Sequence, residues 1–191
     1  MTEPYIYDKT YERNEFSQIP LTKGEYENCI FKNCNFADTD LSEFKFTECE
    51  FNGCNLSMAK LNKTALRDIK FKDCKMLGLR FDMCNAFGLS VSFDGCQLNH
   101  SSFYKTKLKK TVFKNSQLLE TDFAACDLTS AVFENCDLTR ASFENTNLEK
   151  ADFRASYNYS IDPEMNRIKK AQFSMSGVSG LLDKYDIRIE K

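Results

Sequence analysis

Tryptophan is absent from this chain of 191 residues, which contains only one histidine, three prolines and seven glycines. No stretch is rich in Gly, Ser or Pro, so no linker divides the chain, and its length suits one domain. No apolar run approaches the roughly 18 residues that span a membrane. The N-terminus has no basic segment leading into an apolar one, so we expect no secretory signal and a cytoplasmic protein.

Net charge is small, at −2, but it is distributed unevenly along the chain. Residues 1–60 carry 11 acidic and 6 basic side chains, and residues 61–120 carry 5 acidic and 11 basic ones. Residues 121–191 carry 12 acidic and 9 basic side chains. The sequence therefore predicts a molecule that is acidic toward both ends and basic in the middle.

The most abundant feature of the sequence is a repeat with a period of five. Every fifth residue is apolar from Phe16 to Ala86 and, after a slip of two residues, from Phe93 to Phe153. Of these 28 central positions, 25 are Phe or Leu, and the residue two places earlier is usually small. Helices repeat at three and four residues and strands at two. A period of five with two inward residues instead indicates short extended segments joined by turns and stacked in coils.

The order of the central residues indicates how many segments form one coil. Phe and Leu alternate strictly from Phe93 to Phe153. Four segments per coil place Phe93, Phe113 and Phe133 above one another, while three per coil would mix the two sizes in every column. We therefore predict a four-sided coil of twenty residues, about seven coils, and a rod roughly 34 Å long at the spacing of neighbouring strands.

The pattern is a small residue, Asn or Asp, Leu or Phe, and two variable residues, as in the segments Cys126–Ser130 and Ala151–Ala155. It resembles the pentapeptide-repeat family over roughly residues 14–155. The resemblance implies an all-β, right-handed quadrilateral β-helix, interrupted by the slip at 84–91. We expect residues 1–13 to form an N-terminal cap. Residues 156–191 are expected to form a C-terminal cap and dimerisation segment with a short helix.

All nine cysteines fall at the small position, where Ala, Ser and Thr stand in other repeats. A buried free cysteine behaves as a small apolar residue, so we interpret them as packing residues rather than as metal ligands or disulfides. His100 lies at a position predicted to face outward, away from those cysteines. The sequence has no Gly-rich phosphate loop, metal-ligand spacing or nucleophile elbow. We expect no catalytic residues, no cofactor and no metal, and therefore no enzyme.

The slip has two interpretations. Two extra residues could form a bulge that kinks the rod, or a small contact loop that carries Phe87 and Leu89.

The C-terminal segment also has two interpretations. It is a simple cap, or it is a dimer contact, because its ending resembles the quinolone-resistance group of pentapeptide-repeat proteins. In that group a leucine pair on a short helix and a final Ile-x-Ile/Val join two C-terminal ends into a longer rod. The resemblance implies a homodimer in which the contacting residues are Val178, Leu181, Leu182, Tyr185, Ile187 and Ile189.

Two functions remain open from the sequence. The resemblance implies a DNA-mimicking binder of DNA gyrase or topoisomerase IV that protects against quinolones or a toxin. The alternative is an interaction scaffold with an unknown partner. Duplex DNA carries about one charge per 1.7 Å, so a net charge of −2 leaves only local acidic faces for mimicry. The possible acidic contacts are Asp38, Asp40, Glu43, Glu48 and Glu50 near one end, and Glu134, Glu144, Glu149 and Asp152 near the other.

The basic middle could meet an acidic protein, and the sequence does not favour direct binding to nucleic acid. The residues of this strip are Lys63, Arg67, Lys70, Lys72, Lys75, Lys105, Lys107, Lys109, Lys110 and Lys114.

Overall fold

The computed structural model describes residues 3–190 and has the predicted all-β architecture, a β-solenoid of about eight coils. Its short strands all pair in parallel. The strands are β1 (Tyr5–Tyr7), β2 (Thr10–Glu12), β3 (Glu25–Glu27), β4 (Ile30–Lys32), β5 (Lys45–Thr47), β6 (Glu50–Asn52), β7 (Ala65–Arg67), β8 (Ile69–Lys72), β9 (Val91–Asp94), β10 (Val112–Lys114), β11 (Val132–Asp137) and β12 (Asp152–Tyr157).

Each coil has four faces, as the alternation of Phe and Leu predicts. Phe31 pairs with Phe51, and Phe113 pairs with Phe133, so one coil contains twenty residues. The first face contains the sheet β1-β3-β5-β7 and continues beyond the slip as bridges from Lys107 to Arg167. The second face is the eight-stranded sheet from β2 to β12. The third and fourth faces contain isolated bridges instead of strands. The bridges of the third face run from Glu15 to Asp137. Those of the fourth face join Asp40 to Lys60 and then run from Arg80 to Ser142.

Columns of aromatic rings fill the solenoid. On the second face one column runs from Tyr11 to Phe173, and its successive rings are stacked with centroids 4.6–5.5 Å apart. A shorter column on the fourth face runs from Phe81 to Phe143 at 4.5–5.2 Å. Rings of the two columns meet edge to face, for example Phe103 and Phe113 at 5.9 Å. Each such pair adds about 0.5–1.5 kcal/mol beyond its buried area.

The corners of the coils require a left-handed backbone at almost every fifth residue. Their φ angles are positive whether the residue is Asn28 (52°), Lys63 (58°), Ala125 (57°) or Gly53 (62°). This conformation is unfavourable for most L-residues. The corner amides donate to carbonyls of the next coil, as Asn28 N does to Thr47 O at 3.0 Å. Inter-coil hydrogen bonding therefore holds corners that the local sequence alone would not favour.

The N-terminal residues differ from the expected separate cap, because they form the first coil. Ile6 pairs with Tyr26, and the ring of Tyr11 stacks on Phe31 at 5.0 Å. Ile6 and Tyr11 continue the five-residue period backward from Phe16. This coil is the reason that the solenoid has about eight coils instead of the predicted seven.

Up to residue 190, the predicted short helix of the C-terminal segment is of the 3-10 type and not an α-helix. The segment forms two 3-10 turns, Val178–Leu181 and Asp183–Tyr185, and no strand follows them within the described residues up to 190. A Cβ on Gly180 would lie 2.0 Å from the carbonyl oxygen of Tyr159, so the turn is pressed against the last coil. Glycine has low helix propensity, and Asp186 then takes a left-handed φ of 49°. Local tight turns are therefore favoured over a regular helix.

Candidate binding surfaces

Packing side chains occupy the interior of the rod. The central residues of the middle coils are buried, among them Phe103, Leu118 and Phe123 with no exposed surface. Polar residues at the small position bond to the coil before them, as Thr64 Oγ1 does to Leu41 O at 2.7 Å. Side chains that could contact another molecule therefore lie on the outer faces and at the two ends.

The cysteines take the small inward position as predicted, with one partial exception. Eight are buried, and Cys84, in the slip, is half-buried. Burial raises the pKa of Cys49 to about 12 and that of Cys126 and Cys136 to about 11, so these thiols stay protonated. Cys126 Sγ donates to Phe103 O at 2.7 Å. Across residues 3–190, no cluster of His, Cys, Asp or Glu is arranged to hold a metal ion.

His100 lies on an exposed corner, as its position in the repeat predicts. Its Nδ1 is 3.2 Å from Glu120 Oε2, and the other oxygen of that carboxylate accepts from Arg140 at 2.8 Å. The three side chains come from successive coils of one corner. We interpret this group as a ladder of polar surface contacts along one corner.

The acidic residues expected near the N-terminal end do not form one face. Glu50 belongs to the second face, Glu48 follows the first-face strand β5, and Asp40 lies on the fourth face. Asp38 is at the turn after the third face, and Glu43 forms an ion pair with Lys23. These carboxylates therefore point in several directions around the rod.

The second acidic group is likewise divided. Glu134 and Asp152 belong to the second face, while Glu149 lies next to a first-face bridge and Glu144 on the fourth face. Three of the four are in ion pairs, Glu134 with Lys114 at 3.1 Å, Glu149 with Arg167 at 2.8 Å, and Asp152 with Arg154 at 2.7 Å. Locally paired charges produce little field beyond the surface, so neither group forms a continuous acidic face.

The slip produces a small protrusion on the first face. Asn85 N bonds to Thr64 O at 2.9 Å and Ser90 N to Leu66 O at 3.0 Å, so both ends of the slip are tied to the coil before it. Leu89 packs against the core, and Ala86, the expected central residue, is exposed. The ring of Phe87 is 79% exposed. Of the two residues predicted for a contact loop, only Phe87 projects outward.

The structure also divides the basic strip among the faces. Lys70, Lys72 and Lys114 belong to the second face, and Lys75 belongs to the third. The remaining six surround the slip on the first face and its corners: Lys63, Arg67, Lys105, Lys107, Lys109 and Lys110. The sequence alone did not reveal this grouping, because it depends on how the two extra residues shift the coil register.

The C-terminal end carries the expected dimer residues on or near its surface. Val178, Tyr185, Ile187 and Ile189 are 40–56% exposed, and Leu181 and Leu182 are half-buried. Met175, which the sequence analysis did not select, is 90% exposed in the same segment. Tyr185 Oη donates to Glu164, and Lys184 Nζ contacts Asp162 and Glu164 at 2.8 and 2.6 Å, which fastens the turns to the last coil.

In the part of the chain that the structure describes, no helix has the length and apolar character needed to cross a bilayer.

The fold has counterparts among solved structures, although no curated protein sequence matches the chain. A trypsin-treated variant of QnrB1, a plasmid-mediated fluoroquinolone resistance protein, is 18% identical over 100% of both chains with a TM-score of 0.56. HetL, a pentapeptide-repeat protein involved in heterocyst differentiation regulation in Nostoc sp. strain PCC 7120, is 16% identical with a TM-score of 0.47. That comparison covers 90% of this chain and 86% of HetL. At these identities the likeness concerns the fold.

A family model described as "Pentapeptide repeat region" matches residues 19–86, 44–115 and 89–157. These matches together span most of the chain and most of the stacked coils. The chain therefore belongs to the pentapeptide-repeat family.

Proposed function

We propose that this protein is a non-enzymatic binding protein that acts as a homodimeric rod and presents its outer faces to a partner protein. The observation that carries this proposal is the filled interior. Aromatic and aliphatic side chains occupy the volume inside the coils, and charged side chains project from every face. A molecule of this form offers shape and surface charge, which are the means of macromolecular recognition.

The exposed apolar residues at the C-terminal end support the dimer. A two-fold contact there would be isologous, with the same patch on both subunits. With about eight coils per subunit, the joined rod would be roughly 75 Å long at the spacing of neighbouring strands. This fits a partner with an extended binding groove better than one with a compact pocket.

Sedimentation equilibrium at tens of micromolar tests the dimer. Ile187→Asp should produce a monomer because it places a charge in the apolar contact. Ile19→Asp is the matched control, since Ile19 is 78% exposed near the opposite end. A monomeric wild type, or equal effects of the two variants, would contradict the dimer.

The first partner to test is DNA gyrase, with topoisomerase IV as its relative. A protein that binds either enzyme would work in the cytoplasm, where the chromosome lies. The fold likeness to a fluoroquinolone resistance protein supports this choice, since it extends over the full length of both chains. Uniform charge mimicry of DNA is not part of the proposal. The acidic residues are divided among faces and several are paired, so recognition would depend on rod shape and local patches.

Purified gyrase provides the functional experiment. Supercoiling is measured with and without a fluoroquinolone while the wild-type protein is titrated, and Ile187→Asp serves as the dimer-deficient comparison. Rescue from the drug, or direct inhibition of supercoiling, at low micromolar protein is the expected result. No effect in either assay would exclude gyrase as the partner and would leave the scaffold function with a different protein.

A further inference from the structure

An exposed aromatic ring on the first face is surrounded by basic side chains that lack ion-pair partners. We call this group the Phe87 patch and define it as Lys63, Arg67, Phe87, Lys105, Lys107 and Lys110. The guanidinium of Arg67 is 5.9 Å from the centre of the Phe87 ring. Within residues 3–190, none of the five basic groups lies within 4.0 Å of a carboxylate.

The register of the coils places these residues together. Lys63 N donates to Met83 O, which puts Lys63 on the corner in the coil before the slip, and Lys105 occupies the same corner two coils further on, in the coil after the slip. Lys107 lies on the first face in the coil after the slip, where it bridges to Asp127. The patch therefore extends over three consecutive coils, with Phe87 in the middle one.

The acidic groups beside the patch are already engaged elsewhere. Asp68 accepts from Ser90 Oγ at 2.8 Å, and Asp127 is paired with Lys109 at 3.2 Å. Asp82 is paired with Arg80 at 2.6 Å. Asp68 keeps its own charge because the Ser90 hydroxyl is neutral, but the five basic groups outnumber it. The patch therefore has a net positive charge that is available to an external acidic group.

We propose that the Phe87 patch binds an acidic segment of a partner protein, in which carboxylates flank an apolar side chain. Phe87 would supply the apolar contact, since aromatic residues and arginine are prominent among the residues that dominate interface energies. The lysines around it would pair with the carboxylates and accelerate association through charge complementarity. This inference rests on the proposed function only in taking the partner to be a protein.

The boundaries of the patch favour an acidic protein segment over a nucleic acid. Three coils span roughly 10–14 Å at the spacing of neighbouring strands. On the same face and the corner that follows it, Glu27 and Glu48 lie on the N-terminal side of the patch. A continuous phosphate backbone that followed the face toward the N-terminus would meet these carboxylates. A short acidic segment fits within the basic area.

A peptide titration tests the proposal. The probe is a fluorescein-labelled peptide in which runs of glutamate flank a Leu-Phe pair, and fluorescence anisotropy reports its binding to the full chain. The charge-reversal variant is Lys107→Glu with Lys110→Glu. The matched control is Lys32→Glu with Lys72→Glu, two exposed lysines of the second face that give the same change in net charge.

We expect the wild-type protein to bind the peptide with micromolar affinity. The variant with Lys107→Glu and Lys110→Glu, which we call the patch reversal, should lose at least about tenfold in affinity, equivalent to 1.4 kcal/mol. The control should stay within about threefold of wild type, since only long-range charge has changed. Phe87→Ala should weaken binding without changing its dependence on salt. Absence of saturable binding, equal losses in the two reversals, or no effect of Phe87→Ala would each overturn the proposal.

An oligothymidylate, titrated in parallel, tests whether the patch binds nucleic acid instead of an acidic protein segment. If it binds more tightly than the peptide and loses binding in the patch reversal, the patch is a nucleic-acid site and the proposal is wrong. Neither titration requires gyrase or the dimer, so failure of the supercoiling experiment and failure of this proposal are distinguishable.

Discussion

Truncation of one ring in the aromatic column should strongly destabilise the whole rod. Phe113 has no exposed surface, and its ring stacks on Phe93 at 5.1 Å and on Phe133 at 4.8 Å. Its edge contacts with Phe103 and Phe123 are at 5.9 and 5.6 Å. A buried Phe→Ala change typically costs about 3–5 kcal/mol. Because four aromatic contacts are lost together, we expect Phe113→Ala to lie in the upper part of that range.

Urea unfolding followed by far-UV circular dichroism measures this cost. Phe113→Leu keeps most of the apolar volume and should cost clearly less than the alanine variant. Phe87→Ala is the exposed control and should change the free energy of unfolding by less than about 0.5 kcal/mol. A cost below about 1.5 kcal/mol for Phe113→Ala, or a similar cost for Phe87→Ala, would refute the assignment of inward and outward positions.

Three further changes test the corners and the C-terminal cap. Ala125→Gly should raise the free energy of unfolding by about 0.5–1 kcal/mol, because Ala125 has a φ of 57° and glycine removes that strain. Its neighbour is the control: Ala124→Gly should lower the free energy of unfolding by about 0.5–1 kcal/mol. Chemical denaturation of the two variants measures both changes. Gly180→Ala should cost about 1–3 kcal/mol, because its Cβ would lie 2.0 Å from Tyr159 O; an unchanged midpoint of thermal unfolding would contradict this contact.

The hydrogen bonds from Lys184 lower the pKa values of Asp162 and Glu164. The two carboxylates therefore contribute to stability at any pH above their pKa values in the unfolded chain, which are about 4. This contribution is lost as the pH falls through their lower pKa values in the folded protein. The thermal stability difference between wild type and Lys184→Met should shrink below about pH 4; a constant difference would oppose this assignment.

The solenoid could be predicted from the sequence because the residue pattern that specifies each coil is short and repeats along the chain. One period of five identified the central residues, and the alternation of Phe and Leu identified the twenty-residue coil, which the pairing of Phe113 with Phe133 confirms. Ile6 and Tyr11 follow the same period, but residues 1–13 are predicted to form a cap because a solenoid must cover the backbone edge of its terminal coil. The structure instead pairs this segment with the next coil, and Tyr5 and Tyr7 on either side of Ile6 are each 58% exposed.

The surfaces were less predictable because they depend on register around the rod. The sequence shows that two residues are added at 84–91, but it does not show which side chain remains inside. Leu89 packs against the core in place of Ala86 because the larger apolar side chain gains more from burial. The shift determines which lysines share a face with Phe87. Residues such as Glu48 and Glu50 are close in sequence yet point in different directions, since Glu48 forms the corner after the first face and Glu50 lies on the second face.

Direct binding of the purified protein to purified DNA gyrase, without DNA or drug, tests the proposed function most directly. Sedimentation velocity with labelled protein measures formation of the complex. Two variants identify the parts of the rod involved: Ile187→Asp tests the C-terminal end, and Lys107→Glu with Lys110→Glu tests the Phe87 patch. We predict a saturable complex at low micromolar concentration that duplex DNA displaces. Absence of a complex at tens of micromolar, with the protein folded and dimeric, would contradict the assignment of gyrase as the partner.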